Sequence, residues 1–272
     1  MVWSESAAVT YPLVMPDHLR PMRSTYHFGT LLKEVNFFAY PRTGGHFFYY
    51  CLSGLFDLVV SPHQFLHHEE ALDRQNELNP DVLYALDLRE PDVPYRPVRA
   101  DALVAGVHAT PIDANCLTIV LIRDPIATAY SRYRVERDRW GGVTELTPAW
   151  LLEELTRYSE FYAKSMEVLP RQGNRGLLVR YEDIAAGPGE LDRIAAFVGV
   201  VPKLRSSFVW SLLRFENIVK PGSRTFYRSG SNDAWLGDSP WTETLSAIPD
   251  LSFEQFGYGS VAAHLSRVES PH

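Results

Sequence analysis

The 272-residue chain has no apolar run near the ~18 residues of a membrane span, and no repeat, low-complexity tract or long Gly/Ser linker. Its first twenty residues, MVWSESAAVTYPLVMPDHLR, lack the basic segment followed by an apolar segment that marks a secretory signal. We therefore expect one globular domain over residues 1–272 that does not enter a membrane.

Cysteine is nearly absent, since only Cys51 and Cys116 occur. Two cysteines cannot form a disulfide framework, and both lie in apolar surroundings. We expect two buried thiols and a reducing, cytoplasmic setting.

Lysine is also scarce, at positions 33, 164, 203 and 220 only, so most basic residues are arginine. The net charge of -7 argues against a general nucleic-acid coat. Any anion site in this chain must rely largely on arginine.

Apolar runs of strand length alternate with segments of helical periodicity, which predicts an α/β fold with a parallel sheet covered by helices on both faces. Residues 60–100 and those beyond Pro202 have no clear pattern, and residues 60–100 are interpreted as a substrate-covering segment. The predicted strands are Glu34–Tyr40, Ala102–His108, Leu117–Arg123 and Gly176–Tyr181; the predicted helices are Gly45–Leu58, Pro125 to about Arg139, Pro148–Leu169 and Pro188–Val198.

The turn between the first strand and helix has the sequence YPRTGGHF, residues 40–47. A strand, a tight glycine turn and a helix N-terminus together form an anion site, because the first-turn amides have no partner in the helix and the dipole adds positive charge. Arg42 can reach the same anion. The alternative is a plain strand-to-helix turn with a surface arginine.

The turn does not match the nucleoside-triphosphate loop G-x-x-x-x-G-K-[ST]. His46 and Phe47 stand where that loop would have a lysine and a metal-binding hydroxyl. A magnesium-dependent kinase or ATPase is therefore disfavoured.

Two further segments carry polar residues suited to an anion. Arg123 ends the strand LTIVLIR, and Ser131 follows eight residues later in the next helix, so both can face one anion at the carboxyl edge of the sheet. The loop RTFYRSGSNDAW, residues 224–235, contains a second basic, glycine-containing turn at Arg228–Gly230.

Together these segments resemble the sulfotransferases that use 3'-phosphoadenosine 5'-phosphosulfate (PAPS). The first family signature, Y-P-[KR]-[ST]-G-T, resembles Tyr40–Gly45, and the second, R-[DN]-P with a later Ser, resembles Arg123–Pro125 and Ser131. The late R-K-G loop resembles Arg228–Gly230. Weaker matches are Tyr181–Asp183, Phe197–Gly199 and Arg214–Ile218, and the resemblance covers roughly residues 34–236.

The resemblance implies a three-layer α/β/α fold of the P-loop nucleotide-kinase type, with about five parallel strands. It also implies that PAPS donates a sulfuryl group, that adenosine 3',5'-bisphosphate (PAP) leaves, and that no metal is required. The residues implied to hold the 5'-phosphosulfate are Arg42, Thr43, Gly44, Gly45, His46 and Phe47. Those implied for the 3'-phosphate are Arg123, Ser131, Arg228, Ser229 and Gly230. Tyr181 would contact the adenosine, and Phe47 and Phe215 would flank the adenine, although both could equally be core aromatics.

The chain departs from the family pattern at several of these positions. Arg42 replaces the lysine of the cytosolic branch, and Gly45 and His46 replace two hydroxyl residues. Ser229 replaces a lysine and Arg214 a small hydroxyl residue. These losses motivate an alternative, a catalytically weakened relative that binds a nucleotide or a partner.

The acceptor needs a base with a pKa near the working pH, and His108 is the candidate because it ends a predicted strand at the same sheet edge. Arg42 would stabilise charge on the leaving phosphate. The rival histidines are His46, His63, His67 and His68. The HHEE run at 67–70 has metal-ligand residue types but no complementary cluster, so we predict no metal site.

The acceptor is expected to be a small, partly apolar molecule bound by segments 60–100 and 140–160. Aromatic residues in or beside these segments are Phe65, Tyr84, Tyr95, Trp140 and Trp150, which could also belong to the core. We expect no nucleic-acid or membrane partner, and leave the oligomeric state open, with a homodimer as one option.

Overall fold

The computed structural model describes residues 35–56, 117–140, 145–199, 201–202, 204–219 and 231–269. Several sequence-based predictions concern residues outside these ranges. They are the strand Ala102–His108 with its candidate base, the turn Arg228–Gly230, Cys116, the histidines at 63, 67 and 68, and the aromatic residues Phe65, Tyr84 and Tyr95.

The described residues contain a three-stranded parallel sheet in the order β1-β2-β3. β1 is Val35–Ala39, β2 is Leu117–Ile122 and β3 is Gly176–Arg180. In the register, Val35 lies opposite Leu117, and Thr118 lies opposite Gly176. The parallel sheet is confirmed, and three predicted strands are found within one residue of their predicted starts. A sheet of about five strands stays a prediction.

The helices follow the predicted alternation. α1 is Gly45–Leu55, α2 is Pro125–Val135, α3 is Pro148–Val168, α4 is Tyr181–Ala186, α5 is Gly189–Val198, α6 is Ser206–Leu213, α7 is Phe215–Ile218, α8 is Ser239–Ser246 and α9 is Val261–Glu269. A π-helical turn, Glu136–Trp140, extends α2, so the predicted helix to about Arg139 is found with a change of winding at its end.

The starts of α2 and α3 are encoded by the same local signal, an N-cap side chain followed by proline. The Asp124 carboxylate accepts a hydrogen bond from the amide of Ala127, and the Thr147 hydroxyl accepts one from the amide of Trp150. Proline at the first helical position loses no intrahelical hydrogen bond, because that amide has no partner in the helix. The strand-to-helix transition after β2 therefore occurs at a fixed residue.

β2 is the centre of the core. Its residues from Thr118 to Ile122 are buried, as expected for a parallel strand covered on both faces. Two tyrosines of α3 bind its carboxyl end: the Tyr162 hydroxyl donates to the Leu121 carbonyl at 2.6 Å, and the Tyr158 hydroxyl donates to the Arg123 carbonyl at 2.6 Å. These bonds hold the end of the strand where Arg123 leaves the sheet.

The helices contact one another in two sets. α2 packs on α3, α3 on α8, and α8 on α9; α1 packs on α6, and α6 on α5 and α7. Cys51 of α1 is a buried free thiol, as predicted, and burial raises its pKa. Among the described helices, none has the length and apolar character to cross a bilayer.

Candidate functional site

The candidate site lies at the carboxyl ends of the three strands. β1 is followed by Arg42, β2 by Arg123 and β3 by Tyr181. Ligands of open parallel sheets bind at this edge, because the loops that leave the strands meet there. Contacts among these three residues define the site.

The turn after β1 contains two residues in the left-handed backbone region, Arg42 at φ 72° and Gly44 at φ 93°. Between them, Thr43 is fully buried, and both its hydroxyl and its amide donate to the carbonyl oxygen of Tyr40, at 2.7 and 3.2 Å. A non-glycine residue at positive φ is strained and persists where its surroundings fix it. The turn is thus held from inside by Thr43, whose hydroxyl proton is directed into the fold.

Gly44 also provides space for an aromatic ring. A Cβ at this position would lie 2.5 Å from Cδ2 and 2.7 Å from Cε2 of Tyr181. The Tyr181 ring is further contacted by Phe47, edge to face with a centroid distance of 5.6 Å. Burial raises the pKa of the Tyr181 phenol, which the charge of Arg123 partly opposes, so the phenol is neutral at ordinary pH. Glycine is needed here for both backbone conformation and close approach.

The N-terminus of α1 follows directly. Its N-cap, Gly44, offers no side-chain hydrogen bond, and the first turn contains no acidic residue. The helix itself therefore supplies no counter-charge to its first-turn amides or to the positive end of its dipole. This arrangement favours an anion.

Arg123 is only 8% exposed, and its guanidinium lies over the Tyr181 ring, 4.5 Å from its centroid. Its Nη1 donates to the Arg42 carbonyl at 3.3 Å, and its Nη2 donates to the Ser231 carbonyl at 3.1 Å. Its Nε donates to the Asn232 side chain at 2.7 Å. The guanidinium is therefore fixed in orientation beside the turn.

Arg42 and Ser131 meet across the same site. The Arg42 Nε donates to the Ser131 hydroxyl at 3.3 Å. Since the Arg123 guanidinium contacts the Arg42 carbonyl, the arginines of the first two signatures are neighbours at the carboxyl edge of the sheet.

The Glu182 carboxylate links this edge of the sheet to the start of α2, to the loop that contains Asn232 and to Tyr258. One oxygen accepts from the Asp124 amide at 2.9 Å and from the Asn232 side-chain nitrogen at 2.6 Å. The other accepts from the Tyr258 hydroxyl at 2.9 Å. Neither Glu182 nor Asn232 is among the site residues predicted from the sequence, although both lie in segments that resemble the family. The position of Glu182, directly after Tyr181 at a strand end, is the sequence feature that indicates a site residue.

Asp124, the N-cap of α2, forms a buried pair with a histidine of the C-terminal helix. His264 Nε2 lies 2.7 Å from the second carboxylate oxygen of Asp124, and its Nδ1 lies 2.8 Å from the Ser260 carbonyl. That carbonyl only accepts, so Nδ1 carries a proton. Burial would raise the pKa of Asp124, but the hydrogen bond and charge of His264 lower it; burial would lower the pKa of His264, but Asp124 raises it. No local sequence pattern marks His264.

A second buried carboxylate supports the residue before the turn. The Tyr40 hydroxyl donates to Glu154 at 3.0 Å, and Arg132 Nη1 lies 3.3 Å from the other Glu154 oxygen. Burial raises the pKa of Glu154, and the charge of Arg132 opposes that shift. Arg132 also pairs with Glu136 at 2.6 Å, so this group holds β1, α2 and α3 together beneath the turn.

The structure brings together most of the predicted site residues that it describes. Gly45 and His46 are in the first turn of α1, and Phe215 begins α7. Within the described ranges no group of three or more His, Cys, Asp or Glu residues could hold a metal ion. The residues found in contact with one another at this edge are Arg42, Gly44, Phe47, Arg123, Ser131 and Tyr181.

Comparison with known proteins gives structural neighbours only. No protein-family model matches the chain, and no curated protein matches it. Mouse sulfotransferase SULT7A1 complexed with PAP is 13% identical, with a TM-score of 0.46, over 88% of this chain and 89% of that chain. Retinol dehydratase in complex with androsterone and the inactive cofactor PAP is 16% identical, with a TM-score of 0.45, over 93% and 84%.

A second structure of retinol dehydratase, in a complex with retinol and PAP, is 18% identical, with a TM-score of 0.44, over 80% of each chain. The resemblance to sulfotransferases found in the sequence motifs is thus found again among solved structures, at low identity.

Proposed function

We propose that the protein is a sulfotransferase that moves the sulfuryl group of PAPS to a hydroxyl or amine of a small molecule. The observation that supports the proposal is the contact of the Arg123 guanidinium with the Arg42 carbonyl, together with the bond from Arg42 Nε to Ser131, next to a helix whose first turn contains no acidic residue. A doubly phosphorylated donor needs such a concentration of N–H donors and positive charge.

The donor set fits the two phosphate groups of PAPS. The amides at the start of α1 and the Arg42 guanidinium would hold the 5'-phosphosulfate. Arg123 and Ser131 would hold the 3'-phosphate, with the turn Arg228–Gly230 as a further donor. Tyr181 and Phe47, already in contact, would form one wall for the adenosine, with Phe215 as the proposed opposite wall.

The transfer is an in-line displacement at sulfur. A new bond forms from the acceptor oxygen or nitrogen to sulfur, the bond from sulfur to the 5'-phosphate oxygen breaks, and PAP leaves with that electron pair. Arg42 and the helix N-terminus would stabilise the charge that develops on the leaving phosphate, and they are in place before reaction. No metal is part of this scheme.

His108 is the proposed base that takes the acceptor proton. Its supporting argument is sequence position alone, at the end of a predicted strand on the same sheet edge. The third layer of helices, the further strands of the sheet, a cytoplasmic location and a partly apolar acceptor belong to the same proposal.

The test is turnover of PAPS with a panel of phenols, alcohols and amines, together with thermal shift by PAP and by ATP with magnesium. We expect sulfated product, stabilisation by PAP and none by ATP with magnesium. His108→Ala should abolish transfer and leave the PAP-induced shift intact; full transfer by this variant rejects His108 as base. Stabilisation by ATP with magnesium alone would indicate a kinase.

A nucleotide-binding protein without transfer activity is the second candidate. It is favoured by the Thr43 hydroxyl, which donates to Tyr40 and so is turned away from a phosphate acceptor. The absence of hydroxyls at Gly45 and His46 points the same way. Binding of PAP with no product from any acceptor class would favour this candidate.

A further inference from the structure

The orientation of Arg123 depends on a side chain that no nucleotide would need to touch. A guanidinium has five N–H donors and no acceptor. Within the described part of the chain, Arg123 uses three of them, toward Arg42, Ser231 and Asn232. Among these residues, one N–H of Nη1 and one N–H of Nη2 have no acceptor, and both can donate to an anion.

The Asn232 side chain lies between the Arg123 guanidinium and the Glu182 carboxylate. Its Oδ1 accepts from Arg123 Nε at 2.7 Å, and its Nδ2 donates to Glu182 at 2.6 Å. Arginine can only donate and an ionised carboxylate can only accept, so both neighbours demand the same orientation of the amide. The two contacts therefore fix the amide against rotation by half a turn.

Glu182 is itself held by three donors. Besides Asn232, it accepts from the Asp124 amide and the Tyr258 hydroxyl, so it is anchored to the start of α2 and to the C-terminal segment. An acceptor with this many fixed donors keeps its position when the ligand changes. Glu182 therefore holds the Asn232 amide in one position and orientation.

The neutral amide separates two opposite charges that would otherwise pair. A carboxylate in direct contact with Arg123 would form a charge-assisted pair and compete with any phosphate for the same N–H groups. Because Asn232 lies between them, Glu182 orients the Arg123 guanidinium through the amide and accepts none of its N–H groups directly. The guanidinium stays oriented and still available to an anion.

We infer that Asn232 and Glu182 are positioning residues that keep Arg123 oriented and unpaired for the 3'-phosphate of the nucleotide. This inference rests on the proposed function, since it assigns these residues to the same site. It predicts that both residues control discrimination between nucleotides with and without a 3'-phosphate.

The experiment is calorimetric titration of the full chain with PAP and with adenosine 5'-phosphate, which lacks the 3'-phosphate. Asn232→Asp puts a carboxylate against Arg123, and should weaken PAP binding about tenfold or more while changing adenosine 5'-phosphate binding by less than about threefold. Glu182→Ala should weaken PAP selectively as well, and Glu182→Gln should weaken it less, because an amide oxygen can still accept from Asn232.

The matched control is Ala234→Asp, which adds the same charge at an exposed position of the same loop. It should leave the ratio of the two affinities as in the natural protein. Failure of the natural chain to bind PAP would overturn the proposed function and this inference with it.

If the natural chain binds PAP but Asn232→Asp weakens both ligands equally, or Ala234→Asp acts as strongly, the positioning role alone is overturned. Because Asn232 is in a loop, Asn232→Asp decides the question even where Glu182→Ala does not fold.

Discussion

A terminal nitrogen of Arg123 donates to the main-chain oxygen of Arg42 across 3.3 Å, joining two residues that are 81 positions apart. The bond links the backbone of the turn after β1 to the side chain at the end of β2. The Arg42 side chain is not part of this bond, so substitutions at the two arginines should have separable effects.

Arg123→Ala should weaken binding of PAP by about tenfold to a hundredfold, because it removes charge-assisted hydrogen bonds to the phosphate. Isothermal titration of both proteins measures this loss. The substitution also removes the hydrogen bonds that Arg123 donates to the Asn232 side chain and to the Arg42 and Ser231 carbonyls, so Arg123→Lys is the variant to use if stability falls.

The control is Arg193→Ala. Arg193 is exposed on α5, donates to the Leu178 carbonyl at 2.6 Å and pairs with Glu190. Neither partner belongs to the candidate site, so the loss of Arg193 should change PAP affinity little. Equal affinity losses in the two variants would count against a specific role for Arg123.

Gly44→Ala should destabilise the fold by about 2 kcal/mol or more, because a Cβ would overlap the Tyr181 ring and a non-glycine residue would be strained at φ 93°. Urea unfolding followed by tryptophan fluorescence measures this. Gly187→Ala is the control, since Gly187 has extended backbone and nothing within 4 Å of its added Cβ, and should change stability by less than about 0.5 kcal/mol. A Gly44→Ala protein as stable as the control would show that the Tyr181 ring is not packed on the turn.

Arg42→Gly should be more stable than Arg42→Ala by roughly 0.5–1 kcal/mol. Both variants lose the same side chain, including its bond to Ser131, but only glycine adopts φ 72° without steric cost. Paired chemical denaturation curves give the difference directly. Both should lose the proposed sulfuryl transfer to the same extent, because both lack the guanidinium. Equal stabilities of the two variants would contradict the left-handed backbone at residue 42.

The Asp124–His264 pair predicts a pH dependence of stability. The pKa of His264 is raised in the fold, so its contribution is complete below the ordinary value of 6.5 and is lost as pH rises through the raised value. The pKa of Asp124 is lowered, so its contribution is present above 3.8 and is lost as pH falls through the lowered value. The pair is thus most stabilising between about 4 and 6.5.

The measurement is the free energy of urea unfolding from pH 5 to 9 for the natural protein and His264→Gln. Other charges near the pair are those of Arg267 and Glu182, with the phenols of Tyr158 and Tyr258, and they are common to both proteins. The difference between the curves should shrink as pH rises above 6.5. A difference that is constant over this range would mean that His264 does not titrate with Asp124.

The local parts of the fold were predictable because their causes are local. The continuous apolar run LTIVLI predicts a buried strand, and the Asp124–Pro125 pair predicts the start of a helix at that residue. The end of α2 was less predictable, since nothing in the residues around Glu136 signals a change from α- to π-helical winding.

The contacts of the site that could not be predicted join residues far apart in the sequence. The rule that parallel strands end at one edge was enough to bring Arg42 and Arg123 together. It could not show that Thr43 would turn inward or that Asn232 would lie between Arg123 and Glu182, because those contacts depend on loop geometry over separations such as the 109 positions from Arg123 to Asn232. The pairing of Asp124 with His264, 140 positions away, has no sequence signal.

The Glu182–Tyr258 and Asp124–His264 bonds have a practical consequence for anyone trimming the protein. A fragment that stops soon after Trp235 would retain Arg42, Arg123 and Asn232, but Glu182 would lose its bond from the Tyr258 hydroxyl and Asp124 its bond with the His264 imidazole. A fragment that keeps both bonds has to extend at least to residue 264.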